Sequence, residues 1–374
     1  MSAMQENNPV QELNIVLVTI GGMVLVLGLL SRPLKRTIFS TPLLALTLGI
    51  LIGPLGLGLL HPAQWGRLDV ILEQAARLTI AIGLMGVALR LPRTFPFRHW
   101  RSLAVLLGLG MPLMWLSSGL LAYWLLDLPL LVALLLGAVV CATDPIVATS
   151  IVTGDVAEDN LPKRLRHTLS AESGANDGLA YPLVLLPILL LTQPPADAWP
   201  TWLGRTLLWE VGAAALVGAL LGFVAAHLLK RAEAHHSIEQ HSFLAFTLAL
   251  TLFALGVASL LGTDGILAVF IAGITLDHFA NASERRQEER VQEAVNQFFT
   301  LPIFTFLGLV LPWDQWRALG WAGLAMVVAV LLLRRLPFLL ILKRWIPELQ
   351  DTKDALFLGW FGPIGVAALF YAML

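Results

Sequence analysis

Apolar and polar residues alternate along this chain in long blocks rather than at short period. Runs of about 18 to 25 apolar residues are separated by short polar stretches, the pattern of helices that cross a bilayer and not of a soluble core. Candidate spans fall at about 13–30, 42–60, 68–89, 102–126, 128–152, 166–191, 207–229, 241–261, 265–279, 298–311, 318–342 and 355–374. Two of them, 265–279 and 298–311, are shorter than the roughly 20 residues that a spanning helix needs, so they extend into their flanks, tilt little or stop short. The predicted fold is all-α and polytopic, with about twelve spans.

Composition agrees with this pattern. Of 374 residues, 57% are hydrophobic and 13% are charged, about half the charged share of ordinary soluble chains. The 24 Lys and Arg balance 25 Asp and Glu, which leaves no basic excess for nucleic acid and no acidic tail. One cysteine excludes a disulfide framework and a multi-thiolate metal site. No cofactor is implied. The first 12 residues hold Glu6 and Glu12 but no Lys or Arg, so they lack the basic start of a secretory signal, and the first apolar block is expected to remain as a span.

The position of the charges carries more than their number. Eighteen Lys and Arg lie in loops after odd-numbered spans, from Arg32, Lys35 and Arg36 to Lys343, Arg344 and Lys353, whereas loops after even-numbered spans hold only Arg67, Arg205 and Arg317. By the positive-inside rule the odd loops are cytoplasmic and the N-terminus is outside. Trp65, Trp124, Trp199, Trp202, Trp313 and Trp316 fall at outer span ends, the headgroup level that amphipathic rings favour. Three arginines remain inside predicted spans: Arg77, Arg334 and Arg335. Glu73, Asp144, Glu172, Asp177 and Glu210 are the acidic residues at depth, Glu210 near an outer interface. Charges inside a membrane are expensive unless paired or wetted, so this set suggests an ion or proton path.

The densest polar cluster runs from Cys141 to Ala180. In CATDPIVATS, Pro145 removes a backbone donor and disfavours helical geometry at Asp144, so span five is predicted to break there and free carbonyls for a cation. After a basic loop comes HTLSAESGANDGLA, with Asp177 about 10 residues into span six, near the midplane at ~1.5 Å per residue. Ser173 and Asp177 share one helix face and Glu172 and Asn176 the adjoining one. Gly174 and Gly178 would admit a close helix, the broken one in this reading. A carboxylate among hydroxyl and amide oxygens offers hard ligation suited to a weakly held monovalent cation. Glu73 and Arg77 are i,i+4 on span three and are expected to neutralise each other. Asp277 and His278 read as interfacial, His235, His236 and His241 as a solvated loop cluster, 283–297 as a solvated or interfacial helix, and Cys141 as packing.

ATDP at 142–145 followed by ESGANDGLA at 172–180 resembles the monovalent cation/proton antiporters, and the Asn-Asp pair resembles the electroneutral NhaP-like and sodium/proton-exchanger branch. ILIGPLGLG at 50–58, LAVFIAGITL at 267–276 and GWFGPIGVAALFY at 359–371 extend the similarity over nearly the whole chain. The resemblance implies exchange of Na⁺ or Li⁺, with K⁺ as a further candidate, for H⁺ at Asp177, with Asn176 beside it and Thr143, Asp144 and Ser173 near the ion. It also implies an ion pair of Glu172 with Arg335 or Arg334, a homodimer in a cell membrane such as the bacterial inner membrane, and two inverted repeats with crossed broken helices. Here those would be 1–206 and 241–374 around a linker at 207–240, with the second break at Gly362-Pro363-Ile364-Gly365. Thirteen spans are expected in the family against twelve here, so a last helix after Leu374 is expected to be missing. Asn at 176 leaves the loaded site neutral in both half-cycles, which predicts electroneutral one-for-one exchange. A cation channel of similar architecture competes with this reading. An intramembrane protease does not fit, because Ala171-Glu172-Ser173-Gly174 lacks the first glycine of a GxSG motif and no GxGD occurs.

Overall fold

The chain folds as helices that leave many large apolar side chains on the outside, and the computed structural model describes residues 9–29, 40–234, 242–280 and 285–374. No strand occurs among the described residues. The helices are α1 (Pro9–Leu29), α2 (Thr41–Ile52), α3 (Leu68–Arg90), α4 (Trp100–Leu126), α5 (Leu130–Val139), α6 (Pro145–Val152), α7 (Lys163–Thr192) and α8 (Pro195–Ala232). They continue as α9 (Ser242–Leu260), α10 (Gly265–Phe279), α11 (Arg285–Leu309), α12 (Trp313–Leu333), α13 (Leu336–Leu342), α14 (Thr352–Trp360) and α15 (Val366–Met373). Among the described residues, six helical stretches are long and apolar enough to cross a membrane, and five shorter apolar helices accompany them. Leu208 and Leu216 are each 74% exposed and Trp321 is 85% exposed. Such a coat would drive aggregation in water and is stable against lipid, where each helix satisfies its own backbone.

Several spans depart from the sequence reading for local reasons. The span expected over 42–60 stops at Ile52, because Gly53 takes an extended conformation ahead of Pro54. The span expected over 298–311 is the end of the longer α11, which absorbs much of the mixed-charge run before it. Span five is two half-helices, α5 and α6, separated by 140–144, and the last is likewise two, α14 and α15, separated by 361–365. Between α12 and α13 the helix breaks at Arg334-Arg335, where Pro337 has no N–H for the carbonyl of Leu333. His235, His236 and His241 lie outside the described residues, as do Arg32, Lys35 and Arg36.

The two interrupted helices cross, and α3 and α7 pack against the crossing. A buried core from α3, α5, α7 and α15 surrounds it, including Ile80, Leu84, Cys141, Val184 and Phe370. Gly174 and Gly178 do face a close helix, but it is α10 and not the broken one: a Cβ at 174 would strike Phe270 and one at 178 would strike Leu267. The broken helix instead meets the polar face of α7, which leaves the glycine face for α10. Arg77 does not pair with Glu73. Its long guanidinium donates to Gln74 and, across to α9, to Ser259, while Glu73 accepts from Gln74.

The α7–α10 contact carries a packing test. A Cβ at position 178 would lie 2.7 Å from Leu267 Cβ and 2.9 Å from its Cα, inside van der Waals contact. Gly178→Val is expected to cost about 1–3 kcal/mol and to lower the melting temperature of the detergent-solubilised protein. Gly256→Ala, where nothing stands within 4 Å, is expected to leave it unchanged or slightly raised.

Candidate cation-binding site

Thr143, Asp144, Glu172, Ser173, Asn176 and Asp177 are each no more than 1% exposed. They meet where the break of α5/α6 rests on the polar face of α7. Thr143 donates its backbone N–H to Asn176 Oδ1 at 3.1 Å and its hydroxyl to Ser173 Oγ at 3.1 Å. Asn176 Nδ2 donates back to Thr143 Oγ1 and to Glu172 Oε1, the latter at 3.0 Å. Arg335 completes this network with a bidentate pair to Glu172, both N···O distances 2.9 Å, and its Nε donates to the carbonyl of Leu358 at 2.9 Å. Of the two arginines that the sequence left open, Arg335 is thus the partner of Glu172.

Asp144 is the N-cap of α6: its Oδ1 accepts from the backbone N–H of Ile146 at 2.7 Å and of Val147 at 3.1 Å. Its Oδ2 accepts from Val366 N–H at 2.6 Å, the first residue of α15, and its own N–H donates to Pro363 O at 2.8 Å. One carboxylate therefore serves the N-terminal ends of both half-helices, where their dipoles are positive. Gly365 is required opposite it, since a Cβ there would collide with the Asp144 side chain. Arg334 does the converse at the other ends. Its guanidinium donates to the carbonyls of Val140 and Ala142, in the break that follows α5, and of Gly362, in the break that follows α14. A cation at paired C-termini offsets the negative dipole ends.

Asp177 differs from its neighbours. Its Oδ1 is buried with no hydrogen-bond partner, and among the described residues none donates to its side chain. Its backbone carbonyl accepts from the Tyr371 hydroxyl of α15. Pro182 has no N–H for the carbonyl of Gly178, so a backbone oxygen next to Asp177 loses its helical donor. The crossing holds three buried carboxylates, Asp144, Glu172 and Asp177, against two buried guanidiniums, Arg334 and Arg335. With every group ionised one negative charge is in surplus, and Asp177 is the carboxylate without a partner. No group of three or more His, Cys, Asp or Glu suited to a metal ion occurs among the described residues.

Sequence reasoning did not find the double cap by Asp144, the carbonyl clasp of Arg334 or the Tyr371 contact. The Gly362–Gly365 break and the quoted run through Tyr371 were visible signals, but which ends meet at the crossing depends on the tertiary fold.

A sequence profile described as "Sodium/hydrogen exchanger, transmembrane" matches residues 21–374. The chain belongs to this family and is a multi-pass membrane protein. A probable Na(+)/H(+) antiporter of Schizosaccharomyces pombe is 33% identical over 359 residues, covering 94% of this chain and 47% of the relative. Na(+)/H(+) antiporter 2 of Zygosaccharomyces rouxii is 34% identical over 359 residues, covering 93% and 44% respectively. The chain thus spans less than half the length of these two curated relatives. The solved structure of the sodium proton antiporter MjNhaP1 from Methanocaldococcus jannaschii at pH 8 superimposes with a TM-score of 0.76 at 21% identity, over 97% of this chain and 86% of that one. This match carries the fold.

Removing one partner of a buried ion pair strands the other charge, which costs about 3–5 kcal/mol, whereas replacing both by apolar groups of similar volume costs far less. Arg335→Met alone is therefore expected to destabilise the protein more than the double variant Glu172→Leu/Arg335→Met. Thermal melts of the purified variants measure the difference.

Proposed function

We propose that the protein is a secondary antiporter that exchanges a monovalent cation, Na⁺ or Li⁺ with K⁺ as a further candidate, for H⁺ across a cell membrane. The observation that carries this reading is the unpartnered Asp177 carboxylate at the helix crossing, the site of the one surplus negative charge. A single proton or a single monovalent cation neutralises it. Withdrawing a carboxylate from water disfavours its charged form, so the two ligands compete for one group. Exchange follows when the site opens alternately to either side and returns only when occupied.

In this mechanism Asp177 carries the cation or the proton, and the Thr143 and Ser173 hydroxyls and the Gly178 carbonyl are the oxygens that complete the cation's shell. Asn176 holds the α5/α6 break against α7 through its bonds to Thr143 and Glu172 and adds no second charge. Asp144 and Arg334 keep the half-helix ends compensated while the bundle moves, and the Glu172–Arg335 pair anchors α7 to the late helices. Since the occupied site is neutral with either ligand, exchange is one for one and electroneutral. The N-terminus lies outside, the repeats are 1–206 and 241–374 about a linker at 207–240, and two chains form a homodimer.

Proteoliposomes loaded with a pH dye test this. A Na⁺ or Li⁺ gradient is expected to drive proton flux in the wild type and to leave only background leak in Asp177→Asn; a variant that still exchanges would remove Asp177 from its role. Imposed potassium-valinomycin potentials are expected to leave the rate unchanged, although one uncompensated charge would couple at about 2.3 kcal/mol per 100 mV. Flux of either ion without the other would indicate a channel.

A further inference from the structure

A second pair of buried carboxylates lies beyond Asp177 along α7, on the side of the bundle where α8 begins. Glu210 and Asp264 are each 7% exposed. Asp264 caps α10, its Oδ1 accepting from Ile266 N–H at 2.9 Å and Leu267 N–H at 3.2 Å, and its own N–H donates to Glu210 O at 2.8 Å. Glu210 Oε1 accepts from Arg205 Nε at 3.1 Å, and the Arg205 side chain is 74% exposed. The other oxygen of each carboxylate, Glu210 Oε2 and Asp264 Oδ2, is buried with no hydrogen-bond partner. Glu210 sits in a π-helical stretch, Trp202–Ala213, inside α8, and such widened turns occur frequently at functional sites. Tyr181, one helical turn past Asp177, shares a hydrogen bond with the Glu210 side chain and also interacts electrostatically with Asp264, as Asp177 does in turn.

We infer that Glu210 and Asp264, with the Tyr181 hydroxyl, form a second binding station where a monovalent cation pauses between the surface at Arg205 and the Asp177 site. This rests on the antiport reading above. The Glu210 carboxylate, the Asp264 oxygen that lacks a donor, a phenol oxygen and an exposed arginine at the entrance form a graded path from water to the crossing. The nearby cations keep the station weak. Arg205 offsets Glu210, and Arg77, held on Ser259, interacts with Asp264. A station on a transport path must bind well enough to admit an ion and weakly enough to release it.

The test uses oriented membrane vesicles in which Na⁺ is varied on one side at a time while proton flux is recorded. The substitutions Glu210→Gln and Asp264→Asn keep side-chain shape, and Asn remains a good helix cap. Together they are expected to raise the half-saturating Na⁺ concentration on the Arg205 side roughly tenfold, equivalent to ~1.4 kcal/mol, with less than about a twofold change from the opposite side. Tyr181→Phe, which preserves the packing of α7, is expected to give a smaller shift with the same sidedness, and it carries the test if the double variant fails to fold. An equal shift from both sides, or no shift from either, overturns the station. Wild-type vesicles without coupled exchange would instead overturn the antiport reading.

Discussion

The architecture depends on Asp144. Two helices are broken inside the membrane, and each break exposes N–H groups that lipid cannot satisfy. One carboxylate caps both, taking Ile146 and Val147 on its own half-helix and Val366 on the other. Arg334 closes the opposite ends by donating to carbonyls from both breaks. The helix ends at the crossing are therefore compensated before any ion arrives: a negative group at paired positive dipole ends and a positive group at paired negative ends. Unwound backbone survives at this depth because it is buried in protein and paired.

With the helix ends compensated, Asp177 stands apart. Glu172 is consumed by Arg335 and Asp144 by backbone donors, so the charge remaining at the crossing belongs to Asp177, whose buried Oδ1 has no hydrogen-bond partner among the described residues. A site with one unmatched charge selects ligands by valence. In the proposed mechanism a proton or an alkali cation neutralises that charge, and the Asn176 amide, committed to Thr143 and Glu172, keeps the count at one. The tight approach of α10 to the glycine face of α7 fixes the helix that presents Asp177.

Much of this was legible in the sequence because the membrane makes polar residues conspicuous. Asp144-Pro145 predicted a break, the family resemblance implied another at Gly362–Gly365, and Asp177 at mid-span stood out as a candidate site. The pairing of Glu172 with one of two adjacent arginines required the structure, since the break before Pro337 sends Arg334 and Arg335 to different partners. The Glu73–Arg77 spacing misled because an arginine is long enough to reach Ser259 on a neighbouring helix, a choice that helical periodicity cannot encode. Asp264 escaped notice because it lies between two apolar blocks and reads as a turn residue, although it is buried and capping. Gly174 and Gly178 announced a close helix without naming it, since small residues record proximity and not partner identity.

Competition of a proton and a cation for one carboxylate is the central claim, and proton release on cation binding tests it most directly. Na⁺ or Li⁺ is added to purified protein in weakly buffered solution, over a pH range, and the protons released are measured against the cation bound. The account predicts release that approaches one proton per cation at acidic pH, falls as pH rises, and disappears in Asp177→Asn. Saturable cation binding with no proton release at any pH, or release that persists in Asp177→Asn, would contradict it.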